Sequence, residues 1–217
     1  MDFNDSPQEA KFREEVRTWL RDHVPSAKEM YGLDYIEKAK LWQKRKYDAG
    51  WACIRWPVEH GGRNASPIEQ VIWNQEESMH DTPESIFVIG HGMCAPTMMS
   101  WASEDQKKRY LPKLASGEEI WCQLFSEPAG GSDLAALRTK AEKDGDDWII
   151  NGQKIWTSGA HYSDFGVLVV RTDPTAQKHQ GLSYFFIDMR SPGIEIKPIK
   201  QISGSSNFNE VHFSNLR

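Results

Sequence analysis

Two short runs hold the residues whose types and spacing could do chemistry. The first is Trp121-Cys122-Gln123-Leu124-Phe125-Ser126-Glu127-Pro128-Ala129-Gly130-Gly131-Ser132-Asp133, an aromatic-rich apolar stretch that breaks into a glycine-containing turn. Such a strand-to-turn exit delivers backbone amides to an anion, and phosphate is the expected visitor. The second is Asn151-Gly152-Gln153-Lys154-Ile155-Trp156-Thr157-Ser158-Gly159. Its Asn-Gly pair lies between Trp148-Ile149-Ile150 and Lys154-Ile155-Trp156, which predicts a two-residue hairpin whose end could support a planar ligand. Each run also has a plain structural reading. Ser126-Glu127-Pro128 could be an ordinary strand exit, and Trp156 could pack beside Trp148 across a hairpin.

Stepping along the chain, four serine- or aspartate-headed caps precede helical patterns: Ser6-Pro7-Gln8-Glu9, Asp34-Tyr35-Ile36-Glu37, Ser66-Pro67-Ile68-Glu69 and Ser103-Glu104-Asp105-Gln106. In the first helix Phe12, Val16, Trp19, Leu20 and His23 share a face, and Pro25 ends it; the second turns Ile36, Trp42 and Tyr47 inward and closes at Gly50. The third has Ile68, Val71, Ile72, Gln75 and Met79 along one side, and the last ends near Leu114. Residues 51–63 read as a loop with buried aromatic anchors, and residues 86–101 as an apolar run whose Met93, Met98 and Met99 fill a core or line a substrate pocket.

The pattern changes from helical to alternating at Ser116-Gly117, which divides the chain into a helical domain, residues 1–117, and a β-domain, residues 118–217. Strands are expected over residues 137–143 and 147–150, joined at Gly145, and over 150–156. Runs 167–170 and 182–187 are suited to burial on both faces, a turn follows at Ser191-Pro192-Gly193, and a last strand covers 208–213. The fold class is therefore α+β, an N-terminal all-α helical bundle followed by a small β-barrel or sandwich.

A net charge of -5 supplies no basic field for nucleic acid. The odd set Cys53, Cys94 and Cys122 has neither disulfide nor zinc spacing and suits buried thiols in a reducing compartment. An N-terminus opening on Asp2, Asn4 and Asp5, with no run of about 18 apolar residues anywhere, argues for a cytoplasmic protein without a membrane span. His60, His80, His91, His161 and His212 lack ligand spacing, so no metal site is expected. Gly90-His91-Gly92 lacks the third glycine and the βαβ setting of a dinucleotide fingerprint.

The run from Ser126 to Asp133, followed by Ile150-Asn151-Gly152-Gln153-Lys154-Ile155-Trp156-Thr157-Ser158, resembles the flavin-binding signatures of the acyl-CoA dehydrogenase family. The order of helical half, Gln106-Lys107-Lys108-Arg109-Tyr110-Leu111-Pro112 helix end and β-rich half extends the resemblance over essentially the whole chain. Two departures stand out: Ala129 follows the proline where the family usually has glycine, and the family's C-terminal helical domain has no counterpart here.

The resemblance implies FAD as cofactor, with Leu124, Phe125 and Ser126 offering amides and a hydroxyl to the isoalloxazine. It also implies that Gly131 and Ser132 approach the cofactor or the thioester arm of the substrate, that Trp156 covers a flavin edge, and that Thr157 and Ser158 bond near the hydride-accepting nitrogen. The activity implied is dehydrogenation of an acyl-CoA to its trans-2-enoyl-CoA, with an electron-transfer flavoprotein as acceptor and a homo- or hetero-oligomer as the working form. No catalytic base is expected within the chain, because the family draws that carboxylate from its C-terminal domain; Glu127 and Asp133 are assigned to shaping the turn. On this view the 217 residues are the N-terminal and middle portion of an enzyme and are inactive alone. An oxygen-using acyl-CoA oxidase and a non-catalytic binding or assembly subunit are the alternatives.

Overall fold

The structure is a computed structural model that describes residues 4–217; Asp2, one of the N-terminal acids noted above, lies outside the described residues. The chain clusters into two compact units. One comprises Met1–His91 and Thr97–Glu118, the other Gly92–Pro96 and Glu119–Arg217.

The helical unit contains α1 (Pro7–His23), α2 (Tyr35–Asp48), α3 (Pro67–Glu77) and α5 (Glu104–Ser116); α4 (Ala95–Trp101) begins in the other unit. All four caps form as reciprocal pairs, in which the Ser or Asp side chain accepts from the backbone three residues on and a Glu or Gln carboxyl or amide returns the bond. Pro112 does not end α5, which continues to Ser116 and stops at left-handed Gly117.

Val16, Leu20, Trp42, Trp51, Ile54 and Trp73 form a buried cluster, with Phe12 and Trp19 packed against it. The face expected of α3 is wrong. Ile72, Trp73 and Glu76 are buried, whereas Ile68, Val71 and Met79 are exposed. Polar anchoring sets that rotation: Glu76 accepts from Arg13 at 2.8 Å and Arg17 at 2.7 Å on α1. Glu77 accepts from the indoles of Trp42 (2.7 Å) and Trp73 (2.9 Å) and from Lys46 (3.0 Å). The same anchor explains why α2 buries Lys46, while buried Gln43 donates to Ala115 O at 2.8 Å and Ile36 and Tyr47 are left half-buried.

Seven strands make one mixed sheet in the second unit: β1 (Trp121–Leu124), β2 (Lys140–Asp144), β3 (Asp147–Ser158), β4 (Phe165–Arg171), β5 (Leu182–Asp188), β6 (Ile194–Ile199) and β7 (Phe208–Leu216). Their order is β1-β4-β2-β3-β7-β6, with β5 on β4. β1 runs parallel to β4, and the other long pairings are antiparallel. The α+β class thus holds as a helical portion followed by a curled mixed sheet. β4 is buried almost throughout, as its apolar run predicts, but β5 pairs only with β4 and leaves Tyr184 exposed, so it is not a strand buried on both faces. β6 was not expected; its Pro198 suits a strand at the end of the sheet.

The Asn-Gly hairpin is not there. β3 runs unbroken through Asn151 and Gly152, and the real two-residue turn is Gly145-Asp146 between β2 and β3. Asn151 instead bridges strands: its Oδ1 accepts from Asn215 N at 2.8 Å and its Nδ2 donates to Asn215 Oδ1 at 3.1 Å. Gly152 sits at a register shift with φ +146°, where an added Cβ would lie 2.7 Å from Thr139 Cα. A close backbone approach demands this glycine.

Candidate functional site

The first run begins as β1, fixed at its start by Ile120 N donating to Asp164 Oδ2 at 2.9 Å. Leu124 is fully buried; Phe125 and Ser126 emerge half-buried as the chain leaves the sheet. A tight turn follows, closed by Glu127 N to Gly130 O (2.9 Å) and Gly130 N to Glu127 O (3.0 Å), and it leaves Gly131, Ser132 and Asp133 exposed. Phe125 meets Tyr184 edge to face at 6.2 Å.

The second run meets the first directly. Ile155 N donates to Ser126 O at 2.9 Å. Beside that bond lies a buried ion pair. Lys154, with no exposed surface, donates to Phe125 O at 3.0 Å and to Glu127 Oε1 at 2.8 Å. Glu127 also accepts from Arg138 N (2.6 Å) and Thr139 N (2.9 Å). Burial works to raise the Glu127 pKa, but the bonds from Lys154, Thr139 and Arg138 together hold it below the usual carboxylate value; burial pushes the Lys154 ammonium down while Glu127 opposes the shift. Glu127 therefore braces the turn and is committed to three donors.

Past the pair, Trp156 adopts φ +60° and is 56% exposed, an uncommon conformation for a bulky residue that costs about 1–3 kcal/mol and needs its surroundings to impose it. Buried Lys154 and Thr157 hold the backbone on either side, and Phe208 meets the indole edge to face at 6.1 Å. Thr157 and Ser158 pair with Asn209 and Phe208 of β7. Ser158 is half-buried, whereas Thr157 is turned inward, its Oγ1 without a hydrogen-bond partner among the described residues. Buried Asn209 donates from Nδ2 to Thr157 O (2.9 Å), which makes its Oδ1 the acceptor of a 3.1 Å bond from His161 Nδ1. Gly159 is left-handed, and a Cβ there would strike the Tyr162 hydroxyl at 2.4 Å.

Sequence reasoning missed Lys154, Thr139 and Asn209 as supports of this site. Strand parity could have found the lysine, since Ile150, Gly152 and Lys154 share one side of β3, and an inward lysine requires a carboxylate. Among the described residues no group of three or more His, Cys, Asp or Glu side chains could hold a metal ion, and no helix is long and apolar enough to cross a membrane.

The arrangement could support a planar, acceptor-rich ring. It combines a strand exit that presents amides, an exposed indole, a hydroxyl on the same strand end, and a glycine at 131 whose Cβ position is open but for Ser126 Oγ at 3.6 Å. These features fit a flavin and carry no nucleophile-and-base pair.

Comparison with known proteins gives the class a family. Residues 6–118 match the family model "Acyl-CoA dehydrogenase, N-terminal domain" and residues 122–216 match "Acyl-CoA dehydrogenase, middle domain". The chain belongs to the acyl-CoA dehydrogenase family, an oxidoreductase family whose members generally bind FAD. It is 40% identical over 215 residues to acyl-CoA dehydrogenase IpdE1 of Mycobacterium tuberculosis, covering 95% of this chain and 56% of that protein. The ChsE4-ChsE5 complex from Mycobacterium tuberculosis superposes with TM-score 0.82 at 32% identity, over 100% of this chain and 55% of that one. A glutaryl-coenzyme A dehydrogenase in complex with glutaryl-CoA gives TM-score 0.74 at 29% identity, over 100% and 56%. The chain thus spans about half the length of the relatives it matches.

Proposed function

We propose that this chain forms the helical and flavin-contacting portions of an FAD-dependent acyl-CoA dehydrogenase that produces a trans-2-enoyl-CoA. The observation that carries the reading is the junction of the two runs, where Ile155 N to Ser126 O and the buried Lys154 and Glu127 pair bring the amide-bearing loop and the Trp156 to Ser158 strand end to one place. The family membership supports it. Bound FAD would supply the acceptor for the hydride lost from the substrate β-carbon.

The chain's own residues do the rest of their share by position and charge. The amides of Phe125 and Ser126 and the Ser126 hydroxyl donate to the ring's polar edge, favouring negative charge there. Trp156 covers an edge and excludes water, and Ser158 donates from the same strand end. Thr157, turned inward, orders β3 through its carbonyl bond with Asn209. Leu124 fixes the strand below the loop, and Gly131 and Ser132 border the path of the thioester arm.

The α-proton goes to a carboxylate outside these residues, supplied by a further part of the polypeptide or by another subunit. The two-component name of the ChsE4-ChsE5 neighbour supports an oligomeric working form. The division after residue 117, an electron-transfer flavoprotein as acceptor and a cytoplasmic setting complete the proposal; three free, buried cysteines support a reducing compartment.

The test is anaerobic titration of the complete flavoprotein with a panel of acyl-CoAs, straight, branched and ring-bearing. Bleaching of the flavin band with formation of an enoyl-CoA is expected, without rapid oxygen uptake when air is admitted. Absence of bleaching across the panel would overturn the dehydrogenase reading, and substrate-driven oxygen consumption would make it an oxidase.

A further inference from the structure

A lysine with no exposed surface in the middle of a strand asks for a reason, because a buried ion pair is often no more stabilising than apolar side chains of equal volume. The carbonyl that Lys154 holds at 3.0 Å belongs to the peptide group whose other end is the Ser126 N–H. An ammonium on a carbonyl oxygen draws electron density through that peptide and makes its N–H a stronger donor. Glu127, which balances the charge, accepts from the same ammonium at 2.8 Å and is also bound by the amides of Arg138 and Thr139. The pair is thus a dipole whose cation touches the flavin-facing peptide.

We propose that Lys154 is a positioning residue that polarises the peptide joining Phe125 to Ser126 and thereby raises the reduction potential of the bound flavin. The inference rests on the flavin reading above. It separates electrostatics from simple bracing, because the two members of the pair should act with opposite sign. Lys154→Met leaves the carboxylate and disfavours negative charge on the ring. Glu127→Gln leaves the ammonium and favours it. A brace that only holds the loop would, when broken from either side, change the flavin in the same direction.

The experiment is anaerobic equilibration of the complete flavoprotein with a reference dye, for wild type, Lys154→Met, Glu127→Gln and the double variant, with flavin content measured alongside. Lys154→Met should lower the reduction equilibrium constant about tenfold, about 30 mV for a two-electron couple, and Glu127→Gln should raise it by a similar factor. The double variant leaves no buried charge unpaired and removes the ammonium that bonds the Phe125 carbonyl. It should keep its flavin with an equilibrium constant lowered about threefold, and it decides the matter if a single variant does not fold. Shifts of the same sign in both single variants, or an unchanged potential in the double, would overturn the inference. Wild-type protein that binds no flavin would instead overturn the reading beneath it.

Discussion

Gly152→Ala tests the strand geometry on which the site rests. The new methyl would lie 2.6 Å from Thr139 Oγ1, 2.7 Å from its Cα and 2.8 Å from its Cβ, and the last two atoms move only with the backbone just ahead of β2. Overpacking of this kind costs about 1–3 kcal/mol. Forcing an alanine to the φ of +146° found at Gly152 adds about 1–3 kcal/mol. The sum, about 2–6 kcal/mol, is a large part of the roughly 5–15 kcal/mol that stabilises an ordinary domain. The damage also has a direction. Thr139 N is one of the donors to Glu127, and Thr139 Oγ1 donates to Gln153 O at 3.2 Å, so displacing Thr139 loosens the carboxylate that holds Lys154. Urea unfolding followed by tryptophan fluorescence and by circular dichroism should show the loss, with weaker flavin retention in the complete protein. A cost below about 1 kcal/mol, as for a glycine in an exposed turn, would refute the close-approach argument.

Three further outcomes are expected. Glu77→Ala strips the indole N–H groups of Trp42 and Trp73 and the ammonium of Lys46 of their shared acceptor, and should cost about 2–4 kcal/mol in thermal unfolding; a loss under about 0.5 kcal/mol would contradict that role. His91 donates from Nε2 to Leu114 O at 2.7 Å, and burial lowers its pKa from 6.5 to about 4. Its folded pKa lies below the unfolded one, so its stabilisation is complete above about pH 6.5 and lost as pH falls toward 4, on the order of 3 kcal/mol in all. His91→Gln, which can still donate to Leu114 O, should flatten this acid limb of a urea-midpoint profile, and an unchanged limb would remove His91 as its source. Ser158→Ala in the complete enzyme should cost about 1.5–3 kcal/mol, roughly ten- to hundredfold in the rate of flavin reduction by substrate; unchanged reductive kinetics would take Ser158 out of the site.

The four helix caps were legible because a capping box is a contact between residues three apart, complete within the sequence that announces it. The class of fold followed from the change of period near Gly117. The inward face of α3 did not, since Glu76 and Glu77 gain their meaning from Arg13, Arg17, Trp42 and Lys46 on other helices. Asn151-Gly152 shows the same limit more sharply. The dipeptide that most favours a turn lies inside β3, because its asparagine bridges to Asn215, 64 residues on, and its glycine admits Thr139 from the chain entering the neighbouring strand. At the site, the resemblance brought out the loop and the strand end but not the buried pair that joins them. Only the parity of Ile150, Gly152 and Lys154 hinted that a lysine points into the sheet domain.

The central claim is that the flavin rests where the Ser126 loop and the Trp156 strand end meet, and the most direct measurement is the experimental structure of the complete protein with its cofactor bound. The isoalloxazine is expected beside Trp156, with the Ser126 N–H and the Ser158 hydroxyl within about 3.2 Å of its polar atoms. A ring bound elsewhere, with the Ser126 loop and Trp156 both facing solvent, would contradict it.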